Sequence, residues 1–112
     1  MYNRYENLLD AIGRTPLVKL SNISKNYKAN IWVKLEFTNP GGSIKDRIAK
    51  YMIEKAEREG KLKPGDTIIE NSSGNTAMRL AIVCRQKGYN LKIVIRDTTS
   101  KEKIKMLEVL GV

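Results

Sequence analysis

From residue 43 onward the apolar positions alternate between helical repeats and short runs. Ile44, Ile48, Tyr51, Met52 and Ala56 recur at helical spacing and predict a helix that Gly60 stops. Lys63-Pro64-Gly65-Asp66 reads as a turn. Thr67-Ile68-Ile69-Glu70 predicts a short buried strand, and Ala77, Leu80, Ala81 and Cys84 a second helix ending at Gly88. Leu91 to Ile95 predicts the next strand. Ser100 caps a third helix carrying Ile104, Leu107 and Leu110, and Gly111-Val112 reads as the opening of a further strand. Strands alternating with helices at this spacing imply an α/β fold with a parallel sheet flanked by helices.

The first third of the chain has another rhythm. Residues 1–12 predict a short amphipathic helix using Leu8, Leu9 and Ile12, closed by Gly13. Leu17 to Leu20 predicts a strand, Ser21 to Asn30 a polar loop, and Ile31 to Glu36 a second strand.

A chain of 112 residues makes at most one small domain. Its 41% hydrophobic and 29% charged content is that of a soluble globular protein. No apolar run reaches the length of a membrane span, and the first residues lack a signal-peptide core, so no membrane partner is expected. Cys84 is the single cysteine, which makes a reducing cytoplasm the default compartment. Without histidine or a cysteine cluster, no metal site is expected. The net charge of +9 raises the question of nucleic acid. The lysines are scattered, however, with only Lys101, Lys103 and Lys105 clustered. Glutamates interleave on the same helices, and no aromatic residues alternate with them as a stacking platform requires. A solvated basic surface is favoured over a nucleic-acid partner. An anionic phosphate and an amino-acid carboxylate are the more economical ligands.

Candidate chemistry starts at Asn39-Pro40-Gly41-Gly42-Ser43-Ile44-Lys45-Asp46-Arg47. Ser43 with Asp46 fits a capping box, and glycines before a helix let backbone N–H groups approach an anion. Lys45 falls in the first turn, where the helix dipole disfavours an ammonium, and a neutral lysine can form an imine with a carbonyl. From spacing alone, an ordinary solvated helix start is the commoner outcome. A second candidate is Ser72-Ser73-Gly74-Asn75-Thr76, between a strand end and a helix start. Hydroxyls, a glycine and first-turn amides there form a cup for a carboxylate. A plain capping loop fits the same pattern.

The segment Glu36 to Arg47 closely resembles the pyridoxal-phosphate (PLP) lysine segment of the cysteine synthase (O-acetylserine sulfhydrylase) and cystathionine β-synthase family. Gly13-Arg14-Thr15-Pro16-Leu17-Val18 resembles the N-terminal phrase of that family, and Ser72 to Thr76 its substrate loop. The resemblance implies the N-terminal part of a tryptophan synthase β-like, fold-type II PLP-dependent fold. It implies that Lys45 carries PLP through an imine and serves as the catalytic base. It assigns Asn75 to the cofactor ring, and Ser72, Ser73, Gly74, Asn75 and Thr76 to the substrate carboxylate. Residues 1–36 would pack on a larger domain absent from this chain, and residues 37–112 would form an incomplete small α/β domain.

The sequence departs from the family pattern at Ser72, Ala77, Arg79 and Ile95-Arg96. A buried Arg79 would need a charge partner. The resemblance covers all 112 residues but about the first third of a family member. The family's Gly/Thr-rich phosphate loop and the serine facing the pyridine nitrogen have no counterpart here. The expected function is PLP-dependent β-replacement of the cysteine-biosynthesis type on a small amino acid such as O-acetylserine. The family enzyme is expected to be a homodimer. The 112 residues alone are expected to be catalytically weak or dead, and exposed strand edges invite self-association or a complementing chain. A non-catalytic fragment that binds a partner is the alternative, and a basic nucleic-acid-binding module the weaker one.

Overall fold

The computed structural model describes residues 4–72 and 74–112. Residues 1–3, the start of the expected first helix, lie outside them. The remainder of that helix is shorter than expected: a single 3-10 turn, Leu8–Ala11, opened by Asn7, whose side-chain oxygen accepts the amides of Leu9 and Asp10. This side chain satisfies the first amides of the turn locally. Strands β1 (Leu17–Lys19) and β2 (Trp32–Lys34) pair antiparallel, with Leu17 opposite Lys34. Between them the expected loop contains one helical turn, α1 (Ser21–Ser24). Beyond β2 the chain enters a second 3-10 turn, Glu36–Thr38, where Thr38 Oγ1 donates to the Leu35 carbonyl at 2.7 Å.

Helix α2 (Lys45–Arg58) buries Asp46, Ala49 and Ile53. The apolar repeat that predicts the helix is not its buried face: Ile44, Ile48, Tyr51 and Met52 are all exposed. Small and branched residues one step further round, Ala49 and Ile53, are what the neighbouring helix packs against. Gly60, with φ +69°, ends the helix as expected, and the Lys61 amide closes onto the Ala56 carbonyl at 2.9 Å.

Strand β3 (Thr67–Glu70), helix α3 (Asn75–Lys87) and strand β4 (Asn90–Ile93) make one βαβ unit, in which the strands run parallel and Thr67 faces Asn90. The strands alternate exposed with half-buried positions, so β3 is a one-faced strand and not the buried one expected. Helix α4 (Lys101–Val109) follows. Gly111-Val112 closes this helix, the Val112 amide reaching the Leu107 carbonyl at 3.0 Å, and does not begin another strand.

The core consists of Leu9, Ile12, Ala49, Ile53, Leu80, Val83 and Cys84, with Leu62, Ile68, Tyr89 and Leu91 packed around it. Helices α2 and α3 lie side by side, and two ion pairs fix their direction. Asp46 meets Arg79 near both helix starts, and Glu57 meets Lys87 near both ends. The helices are therefore parallel, and their N-termini share one end of the molecule. The radius of gyration is 17.2 Å, well above the roughly 13 Å of a compact domain of this length.

Candidate active site

Lys45 is the first residue of α2, and its side chain is half-buried. The turn before it is built by close backbone contacts. Gly42 has φ +83°, which favours glycine, and a Cβ on Gly41 would come within 2.5 Å of Asp46 Oδ1. The expected capping box does not form. Ser43 Oγ accepts the Lys45 amide at 3.1 Å, but the Asp46 carboxylate turns away from Ser43 and accepts the Gly41 amide instead. The reason is the tightness of the bend: the Gly41 N–H points at Asp46 and has no nearer acceptor. Among the described residues, no carboxylate lies within ion-pair distance of the Lys45 amine.

A polar network absent from the sequence-based expectations supports this bend from below. Asn39, 4% exposed, is its hub. Its side-chain nitrogen donates to the Glu36 carbonyl, to Glu36 Oε2 and to the Ser43 carbonyl at 2.9, 2.9 and 3.1 Å, and its oxygen accepts the Gly13 amide at 2.8 Å. Arg47 clamps Glu36 with two bonds of 2.8 Å and reaches the Gly13 carbonyl at 3.0 Å. Thr15 donates to Glu36 Oε1 at 2.8 Å. The Arg47 guanidinium, with Thr15 and Asn39 behind it, holds the Glu36 carboxyl far below its ordinary 4.5, at about 2. The Gly13–Thr15 and Glu36–Arg47 phrases are thus two halves of one buttress. The signal available in the sequence was an acid, Glu36, and a base, Arg47, at the two ends of one polar phrase rich in turn formers, with nothing local to tie them to Gly13 and Thr15.

The second candidate loop leaves β3 at Asn71. Ser72 is half-buried and its Oγ accepts the Gly74 amide at 3.3 Å. Ser73 lies outside the described residues. Gly74 holds the cap position of α3, Asn75 is its exposed first residue, and Thr76 is half-buried behind it. Ala77 is completely buried. A cleft of about 340 Å³ opens at the carboxyl ends of β3 and β4, lined by Asn71, Ser72, Val94, Ile95 and Arg96. This is where open α/β sheets bind ligands. Lys45 and Asn75 are not among the residues lining it. Lys45 and Asn75 instead each open one of two parallel helices, α2 and α3, which are joined near their starts through Asp46 and Arg79. Arg79 does have the charge partner its burial requires.

The donor set suits PLP. It offers a half-buried lysine with no carboxylate at ion-pair distance among the described residues and an exposed amide side chain at the head of the adjacent parallel helix, whereas the expected open glycine cradle is taken up by Asp46, which holds the Gly41 amide.

Comparison with known proteins agrees with this chemistry. Residues 8–112 match the model of the pyridoxal-phosphate dependent enzyme family, and the chain belongs to that family. Over 106 residues it is 54% identical to the cysteine synthase of Staphylococcus aureus (strain N315), which covers 95% of this chain and 34% of that protein. It is also 54% identical over 107 residues to the cystathionine beta-synthase of Apis mellifera, covering 94% of this chain and 21% of the bee protein. Among solved structures, a hydrogen sulfide-producing enzyme from Fusobacterium nucleatum superposes with a TM-score of 0.87 at 48% identity, over 99% of this chain and 36% of its own. An O-ureido-L-serine synthase superposes with a TM-score of 0.83 at 41% identity, over 97% and 34%. The chain spans about a third of the length of the cysteine synthases it matches.

Proposed function

We propose that this chain carries the cofactor lysine and the substrate-carboxylate loop of a PLP-dependent β-replacement enzyme of the cysteine-biosynthesis type. The overall reaction is O-acetylserine, or a related β-substituted amino acid, plus sulfide or a thiol giving cysteine or an analogue plus the released β-substituent, which is acetate for O-acetylserine. The observation that carries the reading is Lys45 at the head of α2, with no carboxylate at ion-pair distance among the described residues, on a helix that runs parallel to α3. PLP, when bound, supplies an electron sink for charge developing at the substrate Cα. Lys45 Nζ holds the cofactor in the resting protein and then takes the Cα proton as general base. Asn75 orients the cofactor ring through its side-chain amide. Ser72, Gly74, Thr76 and Ser73 hold the substrate carboxylate with hydroxyls and first-turn amides, which turns the Cα–H toward Lys45.

The strand pair within residues 1–36 packs, in this reading, on a larger domain, and residues 37–112 form part of a small α/β domain. Two features support this: β1 leaves Leu17 and Val18 exposed and β2 leaves Trp32 exposed, and the matched relatives are about three times longer. In this reading the whole enzyme is a homodimer that works in a reducing cytoplasm. The free, buried Cys84 supports that compartment, and no described helix is long and apolar enough to cross a membrane.

The test is covalent capture. The 112-residue chain is incubated with PLP, reduced with borohydride and mapped by peptide mass. The imine forms with loss of water, and borohydride converts it to a stable secondary amine. We expect a visible absorption band before reduction, label concentrated on Lys45, and at least about a tenfold loss of label in Lys45→Ala. Label spread over surface lysines in equal proportion in both proteins, with no visible band, overturns the reading.

A further inference from the structure

We propose that Arg79 is a positioning residue: its ion pair with Asp46 fixes the Gly41–Gly42 bend and thereby sets where Lys45 stands relative to Asn75. What the positioning serves rests on the cofactor reading above; the joint itself rests on geometry alone.

Arg79 is 8% exposed and Asp46 2% exposed. Their closest atoms, Arg79 Nε and Asp46 Oδ1, lie 3.5 Å apart. Both atoms are buried, and neither has a hydrogen-bond partner among the described residues. Each charge therefore has the other as its compensation, and removing one leaves the other stranded in a dry site. The two Asp46 oxygens divide their work. Oδ2 accepts the Gly41 amide, and Oδ1 faces Arg79. The guanidinium also lies over the same bend, since a Cβ built on Gly42 would meet Arg79 Nη2 at 3.5 Å. One arginine on α3 thus reaches the bend that precedes Lys45 through the Asp46 carboxylate, with its guanidinium placed beside Gly42.

Leverage comes from the spacing along each helix. Asp46 is next to Lys45, and Arg79 is one turn beyond Asn75 on the same face of α3. The pair therefore bolts together the two helix heads that carry the proposed cofactor contacts. The Glu57–Lys87 pair joins the same two helices at their far ends, with Lys87 Nζ 2.8 Å from Glu57 Oε2. It is an internal control: the same helices and the same charge types, but remote from Lys45.

Four forms of the 112-residue chain decide the matter: the natural chain, Arg79→Met, Arg79→Lys and Lys87→Met. Hydrogen exchange without PLP reads the amides of residues 41–45 and 75–79. Borohydride-trapped PLP labelling then reads the share of label on Lys45 against all other lysines. In Arg79→Met we expect exchange at residues 41–45 to speed up at least about tenfold, and the Lys45 share to fall about fivefold. Arg79→Lys keeps the charge and stays within about twofold of the natural chain on both readouts. Lys87→Met changes neither. Arg79→Gln replaces Arg79→Met should the latter fail to fold. Should Arg79→Met match Lys87→Met on both readouts, or lower the melting temperature while leaving the Lys45 share untouched, Arg79 is a stability residue and the proposal falls. Should the natural chain show no preference for Lys45, the cofactor reading falls, and the exchange comparison alone decides whether the joint exists.

Discussion

The β1–β2 ribbon and the α2–α3 pair are built by opposite means. The helices meet through Ala49, Ile53, Leu80, Val83 and Cys84, all nearly inaccessible to water. The ribbon has no such face: every residue of β1 is exposed, and only Val33 of β2 is partly covered. A two-stranded ribbon is marginal in water by itself. What ties this one to the body is polar. Lys34 Nζ donates to the Thr15 carbonyl, and Thr15, Asn39, Glu36 and Arg47 bond to one another at its base. The lesson is that the Lys45 bend sits where the two constructions meet. Its helix is held by packing, and its preceding turn by charge-assisted hydrogen bonds.

The contrast can be broken most directly in the core. Leu80→Ala is expected to cost about 2–5 kcal/mol in denaturant melting, the range for a buried large-to-small change. Trp32→Ala on the ribbon should stay within about 0.5 kcal/mol, as for an exposed site. Equal costs at the two positions would mean that the ribbon is covered in solution.

Acid sharpens the comparison. Glu36 has a folded value of about 2 against an ordinary 4.5. A depressed carboxyl contributes stability above its unfolded value and loses it as pH falls toward its folded one. The ribbon's attachment should therefore weaken from about pH 4.5 down to about pH 2. Trp32, the single tryptophan, lies in the ribbon and reports this by its emission. Glu36→Gln is expected to flatten that acid limb and to loosen the ribbon at neutral pH. An unchanged acid profile in Glu36→Gln would remove Glu36 from the account.

The smallest effect concerns Cys84. Burial pushes its thiol up to about 11, so a thiol reagent at neutral pH should modify it only as the chain unfolds. Reaction at the rate of a free thiol in the native protein would show that α3 opens away from α2.

The βαβ portion was legible because its periodicities are local. Thr67–Glu70 coincides with the expected strand, and α3 buries the Ala77, Leu80, Ala81 and Cys84 positions that announced it. Gly60 and Gly88 both take left-handed conformations at helix ends. The buried face of α2 was not legible. Ile44, Ile48, Tyr51 and Met52 form the stronger apolar repeat, yet packing selects Ala49 and Ile53, which let α3 approach closely. The family segment around Lys45 was recognisable, whereas its support was not. Asn39 reaches Gly13, and Arg47 reaches both Gly13 and Glu36, over separations that no local pattern encodes. The mistaken capping box has the same origin: Ser43 and Asp46 have the right spacing, but Asp46 also has Gly41 and Arg79 within reach.

The hub at Asn39 has a further consequence, for chemical ageing. Asparagine ordinarily deamidates when the next residue's backbone nitrogen attacks the side-chain carbonyl. Here the next residue is Pro40, whose nitrogen bears no hydrogen and cannot close that ring. The side-chain nitrogen, which could attack the main chain instead, is held by three acceptors. The amide on which the Lys45 bend depends is thereby shielded from slow conversion to a carboxylate, a change that would set a new negative charge against Glu36.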